Sequence, residues 1–219
     1  MGLLTRPSIK KMLLLIPVVF VLLYLRLAYV FLFPSNEDID ELLSSRLETV
    51  LLSEYKIRNY KAIEKVMNSF GKLKYPEKII ESTNCERITP RECRIKNVFY
   101  SALLQCNESK TYCMLMEDDI LLFSYTKQLL YWNLIAWSND SRYIMDCNKF
   151  GLYRYNYEVN GNGLQCRIYS KFLIEELKHC LINNVGAADL ILPRCLKGIE
   201  EKRFLAVQNG NMPSVQPKP

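Results

Sequence analysis

The chain has 219 residues, with 29 lysine and arginine side chains against 23 aspartate and glutamate side chains and a formal net charge of +6. Hydrophobic residues make up 49% of it, which excludes a disordered chain because enough apolar surface exists to form a packed core. Four basic residues and no acidic ones lie in the first 33 positions, so the rest of the chain is almost neutral. That balance argues against nucleic acid as a partner.

Residues 12–33 form an apolar run, MLLLIPVVFVLLYLRLAYVFLF, in which Arg26 is the one charge. A membrane-spanning helix needs about 20 such residues. Basic residues precede the run and acidic residues follow it, so the positive-inside rule places the N-terminus in the cytosol. The sequence predicts a cytosolic tail over 1–11, an uncleaved signal anchor in the lipid bilayer over 12–33, and a body in the lumen of the secretory pathway. The alternative is a cleaved signal peptide, whose apolar core is shorter.

Cysteines and sequons agree with a lumenal body. An even number of cysteines there predicts disulfide bonds, with on the order of 100 possible connectivities, although buried free thiols are an alternative for several of them. Two Asn-X-Ser sequons, at Asn107 and Asn139, predict glycosylation of the lumenal surface. All eight cysteines follow the apolar run, at Cys85, Cys93, Cys106, Cys113, Cys147, Cys166, Cys180 and Cys195.

Residues 34–72 are charged and carry leucine and isoleucine at three- and four-residue spacing, which is typical of a helix. The segment is interpreted as a helical stem or, equally, as the first layer of the fold. Residues 73–208 form the predicted lumenal domain. The last residues, 209–219, are rich in Pro, Asn and Gly and predict a flexible tail.

A capping box predicts where the first clear helix of the domain begins. Thr89 and Glu92 stand three residues apart, with Pro90 at the first helical position. The apolar run 112–116 that follows predicts a strand buried on both faces of a parallel sheet. One face of the helix is predicted to be apolar, at Ile95, Val98, Phe99, Ala102, Leu103 and Cys106.

Strand and helix patterns alternate through the rest of the chain. This alternation predicts an α/β domain. Helical patterns cover 124–137, 171–183 and 187–197, and strand patterns cover 143–145, 163–170 and 203–207.

Three consecutive acids, Glu117, Asp118 and Asp119, end the buried run. Ligands of open α/β sheets bind outside the carboxyl ends of strands. Adjacent carboxylates repel, so clustering them is costly unless a cation or solvent compensates, and their oxygens suit Mg²⁺ or Mn²⁺. The triplet therefore predicts a site for a metal and a nucleotide diphosphate. The alternative is a solvated turn that only ends a strand.

The segments from Ile95 to Cys106 and from Tyr112 to Leu122 resemble the helix, strand and Glu-Asp-Asp motif of lumenal glycosyltransferases. The resemblance is to the post-GPI-attachment N-acetylgalactosamine transferase family in particular, with the N-acetylglucosaminyltransferases that branch N-glycans as more distant relatives. It implies a glycosyltransferase-A-like layered sheet with flanking helices, preceded by the transmembrane helix and the helical stem. It also implies a single-pass type II protein of the Golgi or endoplasmic reticulum membrane.

The same resemblance implies a function. The chain is expected to transfer a sugar, with N-acetylgalactosamine a candidate, from a UDP-sugar to a GPI-anchored protein or glycan, using Mn²⁺ or Mg²⁺. It carries donor binding onto Glu117, Asp118 and Asp119, and metal binding onto the two aspartates. The alternative is an inactive or partial relative that serves as a membrane-anchored binding or scaffold protein.

Two later stretches extend the resemblance. Residues 162–170, the helix after them and Asp189 resemble the acceptor side of the family's site, which implies that Asp189 is the general base. The alternative for Asp189 is a carboxylate favoured by a helix dipole. Residues 204–209 resemble the closing strand, which in the family ends in a Gln-His pair. Gln208 matches, and Asn209 stands at the histidine position as a predicted metal ligand.

Overall fold

The computed structural model describes residues 9–53, 74, 76, 78–81, 84–106, 109–117, 120–123, 125–136, 143–147, 157–158, 166–203 and 207–209. The chain divides into two compact units, Met1–Glu41 and Leu42–Pro219. The second unit carries the residues that the sequence points to for function.

The first unit contains helix α1 (Ile9–Leu32), and helix α2 (Asn36–Arg46) begins in it. Lys10, Lys11 and Arg26 lie inside α1, and charged side chains within a membrane span are costly. Within the described ranges, no helix has the combination of length and apolar character required to cross a bilayer. The predicted signal anchor over 12–33 is therefore wrong, as are the type II topology and the Golgi or endoplasmic reticulum membrane location.

A mixed sheet forms the centre of the second unit. Its six described strands are, in order across the sheet, β1 (Leu47–Leu52), β2 (Tyr112–Glu117), β6 (Cys166–Ser170), β4 (Tyr143–Asp146), β7 (Glu200–Arg203) and β5 (Tyr157–Glu158). Strand β6 is antiparallel to both of its neighbours, whereas β1 pairs with β2, and β4 with β7, in parallel. The run 112–116 is thus a buried strand as predicted, but its sheet is mixed rather than parallel.

Strand β1 contradicts a helical stem at residues 47–52 and fits the alternative, in which this segment is the first layer of the fold. It pairs with β2 from Leu47 opposite Tyr112 to Leu52 opposite Glu117, and Val50 is fully buried. Leucines at three- and four-residue spacing are typical of a helix. In the structure, however, all six residues of Leu47–Leu52 pair with the buried strand β2. The predicted fold class, a glycosyltransferase-A-like sheet behind a transmembrane helix and a stem, is therefore wrong. The described residues form a mixed α/β unit in which β1 is part of the sheet.

Three helices cover one face of the sheet: α3 (Pro90–Gln105), α5 (Lys171–Asn183) and α6 (Ala188–Cys195). Helix α3 begins as predicted. The Thr89 hydroxyl accepts a hydrogen bond from Glu92 N at 3.3 Å, and the Glu92 carboxylate accepts one from Thr89 N at 2.8 Å. The core between the layers includes Val50, Phe99, Leu103, Leu115, Ile144, Tyr169, Leu177 and Ile191.

Three disulfide bonds confirm the prediction that the cysteines form bridges. Cys85–Cys93, Cys106–Cys113 and Cys180–Cys195 have Cα–Cα distances of 5.3, 5.7 and 5.8 Å. The first lies at the start of α3, the second joins the end of α3 to β2, and the third joins α5 to α6. These bonds attach each covering helix to its neighbour in the chain.

The C-terminal strand differs from its prediction over 203–207. Glu200–Arg203 (β7) belongs to the large sheet, and Val207–Asn209 (β8) pairs with β3 (Ile120–Leu122) in a two-stranded sheet. The remaining described helix, α4 (Thr126–Ala136), lies within the predicted helical segment 124–137. The separate β3–β8 pair matters because it begins directly after the acidic triplet.

Candidate functional site

Four strands of the large sheet have their carboxyl ends at the same end of the sheet, which is called the carboxyl edge here. Strands β1, β2, β4 and β7 run in the same direction, so they all end at this edge, while β6 begins there. This is the edge at which open α/β sheets bind ligands. The described residues at the edge are Ser53, Glu117, Asp146, Cys147, Cys166 and Arg203.

Glu117 is the last residue of β2, between two strands at the edge. Its backbone lies opposite Leu52 of β1, and its side chain is partly exposed. Asp118 and Asp119 lie outside the described residues, and β3 begins immediately after them at Ile120. The acidic triplet therefore starts where sequence reasoning expected, at the end of a buried strand.

The β3–β8 pair places Asn209, the predicted metal ligand, opposite the residue that follows the triplet. Ile120 lies directly opposite Asn209, and Leu121 lies opposite Gln208. Opposite residues of an antiparallel pair have Cα atoms about 4.5–5.5 Å apart. The residue after Asp119 and the residue at the family's histidine position are thus neighbours across a strand pair.

Asp189 occupies the first turn of α6, with Ala187 as the N-terminal cap. Its side chain is exposed, and its Oδ1 accepts a hydrogen bond from Leu190 N at 3.1 Å. A carboxylate at this position interacts favourably with the helix dipole, as the alternative interpretation held. Among the described contacts, those of Asp189 remain within its own helix, so no contact joins it to Glu117.

Lys96 fixes the segment that leads to Asp189. Its side chain is fully buried, and its Nζ donates to Asn84 O at 2.9 Å and to Asn184 O at 2.7 Å. Burial lowers the pKa of Lys96 below its ordinary value. Sequence reasoning missed this residue because it placed Ile95 on the core face of α3, whereas Ile95 is 45% exposed. The signal was present: Lys96 stands three residues before Phe99, at the spacing of a helix face.

A cluster of buried charged and polar side chains lies next to the carboxyl edge of the large sheet. It consists of Asp146, Arg167, Tyr169 and Glu201, on the sheet face that the helices cover. Arg167 Nε lies 3.5 Å from Asp146 Oδ2, and Arg167 Nη2 lies 3.4 Å from Glu201 Oε1. One cation thus holds two carboxylates from neighbouring strands, and it fixes the positions of β4, β6 and β7 at the candidate site.

Two side chains of this cluster, Tyr169 and Arg167, have shifted pKa values, and burial opposes the charged form of each. It raises the pKa of Tyr169 to about 12, which the nearby Arg167 cation only partly offsets. Burial also opposes the charge of Arg167, but Tyr169, Asp146 and Glu201 outweigh it and raise the Arg167 pKa. Sequence reasoning did not single out this cluster. The signal for it was a charged residue in the middle of a strand with buried neighbours, at Arg167.

The remaining predicted sites lie outside the described residues. They are the glycosylation acceptors Asn107 and Asn139, which stay predictions. Within the described part of the chain, no group of three His, Cys, Asp or Glu side chains is placed to hold a metal ion. The predicted ligands Asp118 and Asp119 are not part of that set, so the metal site also stays a prediction.

Comparison with known proteins gives a distant likeness in structure and none in sequence. No family model matches the chain, and no curated protein matches it. Among solved structures it is similar to the inositol-1-phosphate CTP transferase from T. maritima, with 15% sequence identity and a TM-score of 0.41. The match covers 83% of this chain and 77% of that one. A likeness to a transferase at this distance supports no argument about activity.

Proposed function

We propose that the chain is a glycosyltransferase that moves a sugar from a UDP-sugar to a hydroxyl group of a glycan or GPI anchor. The observation that carries the proposal is the pairing of Ile120 with Asn209 directly after the acidic triplet. Because of this pairing, two stretches that resemble the same transferase family come together at the carboxyl edge of the sheet. N-acetylgalactosamine is the first donor sugar to test.

The donor would bind through its diphosphate beside the acidic triplet that begins at Glu117. A diphosphate is anionic, so three carboxylates attract it only when a divalent cation lies between them. Carboxylate oxygens of Asp118 and Asp119 and the amide oxygen of Asn209 are the ligand types that Mn²⁺ and Mg²⁺ accept. When bound, such a cation neutralises the charge of the leaving diphosphate. Glu117 is the last residue of β2, so it would hold the start of the triplet in place.

Asp189 is the candidate general base. Its exposed carboxylate can accept the proton of the acceptor hydroxyl while the acceptor oxygen bonds to the sugar carbon. In the same step the bond from that carbon to the diphosphate oxygen breaks, and UDP leaves with the electron pair. Lys96 supports this arrangement as a positioning residue, because it holds the carbonyl of Asn184 at the start of the segment leading to Asp189.

The test measures release of UDP from UDP-sugars by the purified chain, with Mn²⁺ and after chelation. Asp119→Asn is expected to abolish release while leaving the unfolding midpoint in urea unchanged. Glu176→Gln removes an exposed carboxylate of α5 and is the matched control. Full activity of the Asp119→Asn chain would end the assignment of the triplet.

The variant Asp189→Asn separates the two halves of the proposed reaction. Loss of the base should stop transfer to an acceptor while UDP-sugar binding, measured by calorimetry, persists. If the unmodified chain binds no UDP-sugar with either cation, the enzyme proposal fails. The chain would then be an inactive relative with a binding or scaffold role.

A further inference from the structure

Cys147 and Cys166 are the two cysteines that the three disulfides leave free. Both are almost completely buried, with relative exposures of 0% and 1%. They lie at the candidate edge, Cys147 just after β4 and Cys166 at the start of β6. Nothing in the proposed transfer reaction uses them.

The two residues are directly opposite each other. The β4–β6 register pairs Asp146 with Arg167, so the next opposite pair outward is Cys147 with Cys166. Cys147 N donates to Cys166 O at 3.0 Å, which continues the antiparallel ladder by one step. Side chains of opposite residues point to the same face, so both thiols lie on one face of the sheet.

The backbone spacing suits a covalent bond. Hydrogen-bonded opposite residues of an antiparallel pair have Cα atoms about 5.5 Å apart, and disulfides span Cα distances of about 4.4–6.8 Å. The three existing disulfides, at 5.3 to 5.8 Å, fall in the same range. Each of them also joins one cysteine to the next cysteine along the chain, and Cys147 and Cys166 are the remaining consecutive pair.

We propose that Cys147 and Cys166 form a fourth, reversible disulfide that links β4 to β6 at the carboxyl edge of the sheet. In the structure this pair is in its reduced, dithiol form. Oxidation adds a covalent link between the two ends of segment 148–165, and reduction leaves these ends joined by the strand pairing alone. The link is a modification site independent of the proposed transferase activity.

The oxidant required is a small disulfide, such as glutathione disulfide. The thiolate of one cysteine attacks a sulfur of that disulfide, forms a mixed disulfide and releases one glutathione. The second thiolate attacks the protein sulfur of the mixed disulfide, which forms the Cys147–Cys166 bond and releases the second glutathione. The two thiol protons end on the released glutathiones, so atoms and electrons balance.

The reaction is expected to be slow in the native chain. Burial, the neighbouring Cys166 thiol and the charge of Asp146 raise the pKa of Cys147, and only the thiolate attacks. Local opening of the edge must therefore precede exchange. The bond also forms more readily while the chain folds, before this edge closes.

The test uses the full chain, treated with glutathione disulfide over several hours, then denatured and labelled with a maleimide. Before treatment two labels per chain are expected, and afterwards none, with a mass about 2 Da lower than that of the unlabelled reduced chain. Tryptic digestion separates Cys147 in peptide 143–149 from Cys166 in peptide 155–167. The oxidised chain should give these two peptides as one cross-linked species, and reduction should separate them.

Three outcomes would overturn the proposal: both thiols still labelled after treatment, only glutathione adducts, or a link to another cysteine. The peptides of the other three disulfides should not change and serve as internal controls. In Cys147→Ser or Cys166→Ser chains one label should persist and no cross-linked peptide should form. The wild-type measurement decides the question even if a variant fails to fold.

Discussion

Ile120 and Asn209 lie directly opposite each other in the β3–β8 pair, although 88 residues lie between them in the sequence. This register places the residue that follows the acidic triplet opposite the position where the resembled family has a histidine. Neutral imidazole is the commonest metal ligand among protein side chains, and the resemblance implies that it fits a metal at this position. Asn209 is therefore the position at which a change of ligand is most informative.

The first prediction concerns the metal. Asn209→His should lower the Mn²⁺ concentration that gives half-maximal UDP release, and Asn209→Ala should raise it. Gln208→His is the matched control because successive strand residues point to opposite faces. Titration of activity with Mn²⁺ measures the effect. Equal responses at the two positions would show that Asn209 is not a ligand.

The second prediction concerns the buried charge cluster. Arg167→Met leaves the carboxylates of Asp146 and Glu201 buried without their cation, which should cost about 3–5 kcal/mol of unfolding free energy. Lys178→Met, which breaks the Lys178–Glu175 pair on the surface of α5, should cost less than about 1 kcal/mol. Urea unfolding of both chains measures the difference. Similar losses in the two chains would contradict a special role for the cluster.

The third prediction concerns Lys96 and pH. Since burial lowers its pKa below 10.5, the unfolded chain binds more protons than the folded chain between the folded-state pKa and 10.5. Stability from this group therefore rises with pH across that window. Lys96→Met should remove the rise. At neutral pH it should also cost about 1–3 kcal/mol, because the carbonyls of Asn84 and Asn184 lose their donor.

The matched control for Lys96 is Lys197→Met, a change at an exposed lysine. Urea unfolding of the two variants should be followed from neutral to alkaline pH. The Lys197 variant should retain the alkaline rise of the parent chain. Parallel curves for the parent and the Lys96→Met chain across the window would count against a depressed Lys96 pKa, because the raised pKa of Tyr169 affects both chains equally.

The fourth prediction concerns the start of α3. Thr89→Ala removes the side-chain cap and should cost about 1 kcal/mol of unfolding free energy. The Thr89 hydroxyl and backbone amide lower the pKa of Glu92 below 4.5. Its stabilising effect is thus complete above pH 4.5 and is lost as pH falls through the folded-state pKa. Acid titration should show a smaller loss in the Thr89→Ala chain than in the parent. An equal loss would rule out the cap as its source.

Local signals in the sequence were strong enough to predict several elements. The Thr89–Glu92 capping box fixed the start of α3, the apolar run from Tyr112 fixed β2, and the amphipathic pattern fixed Lys171–Asn183 as α5. Each of these signals depends on neighbours within one element. The position of Glu117 at the end of β2 follows from the same local reasoning.

Other features depend on distant partners and were not predictable in this way. Leu47–Leu52 becomes a strand because β2 lies beside it, and residues 200–209 divide between two sheets because each part meets a different partner. The pairing of Arg167 with Asp146 and Glu201 joins three strands that only the folded chain brings together. The membrane anchor was predicted from the length of one apolar run and the charges on either side of it, and no helix of the described residues meets the requirements for crossing a bilayer.

The disulfides have a consequence for how the chain is made. Their sequence separations are 8, 7 and 15 residues, and each bond joins two cysteines with no other cysteine between them in the sequence. For the second cysteine of each bridge, the partner is therefore the nearest preceding cysteine when it emerges from the ribosome. Each bridge can close before later cysteines exist to compete for it, so oxidative folding should need little correction of mispaired bonds.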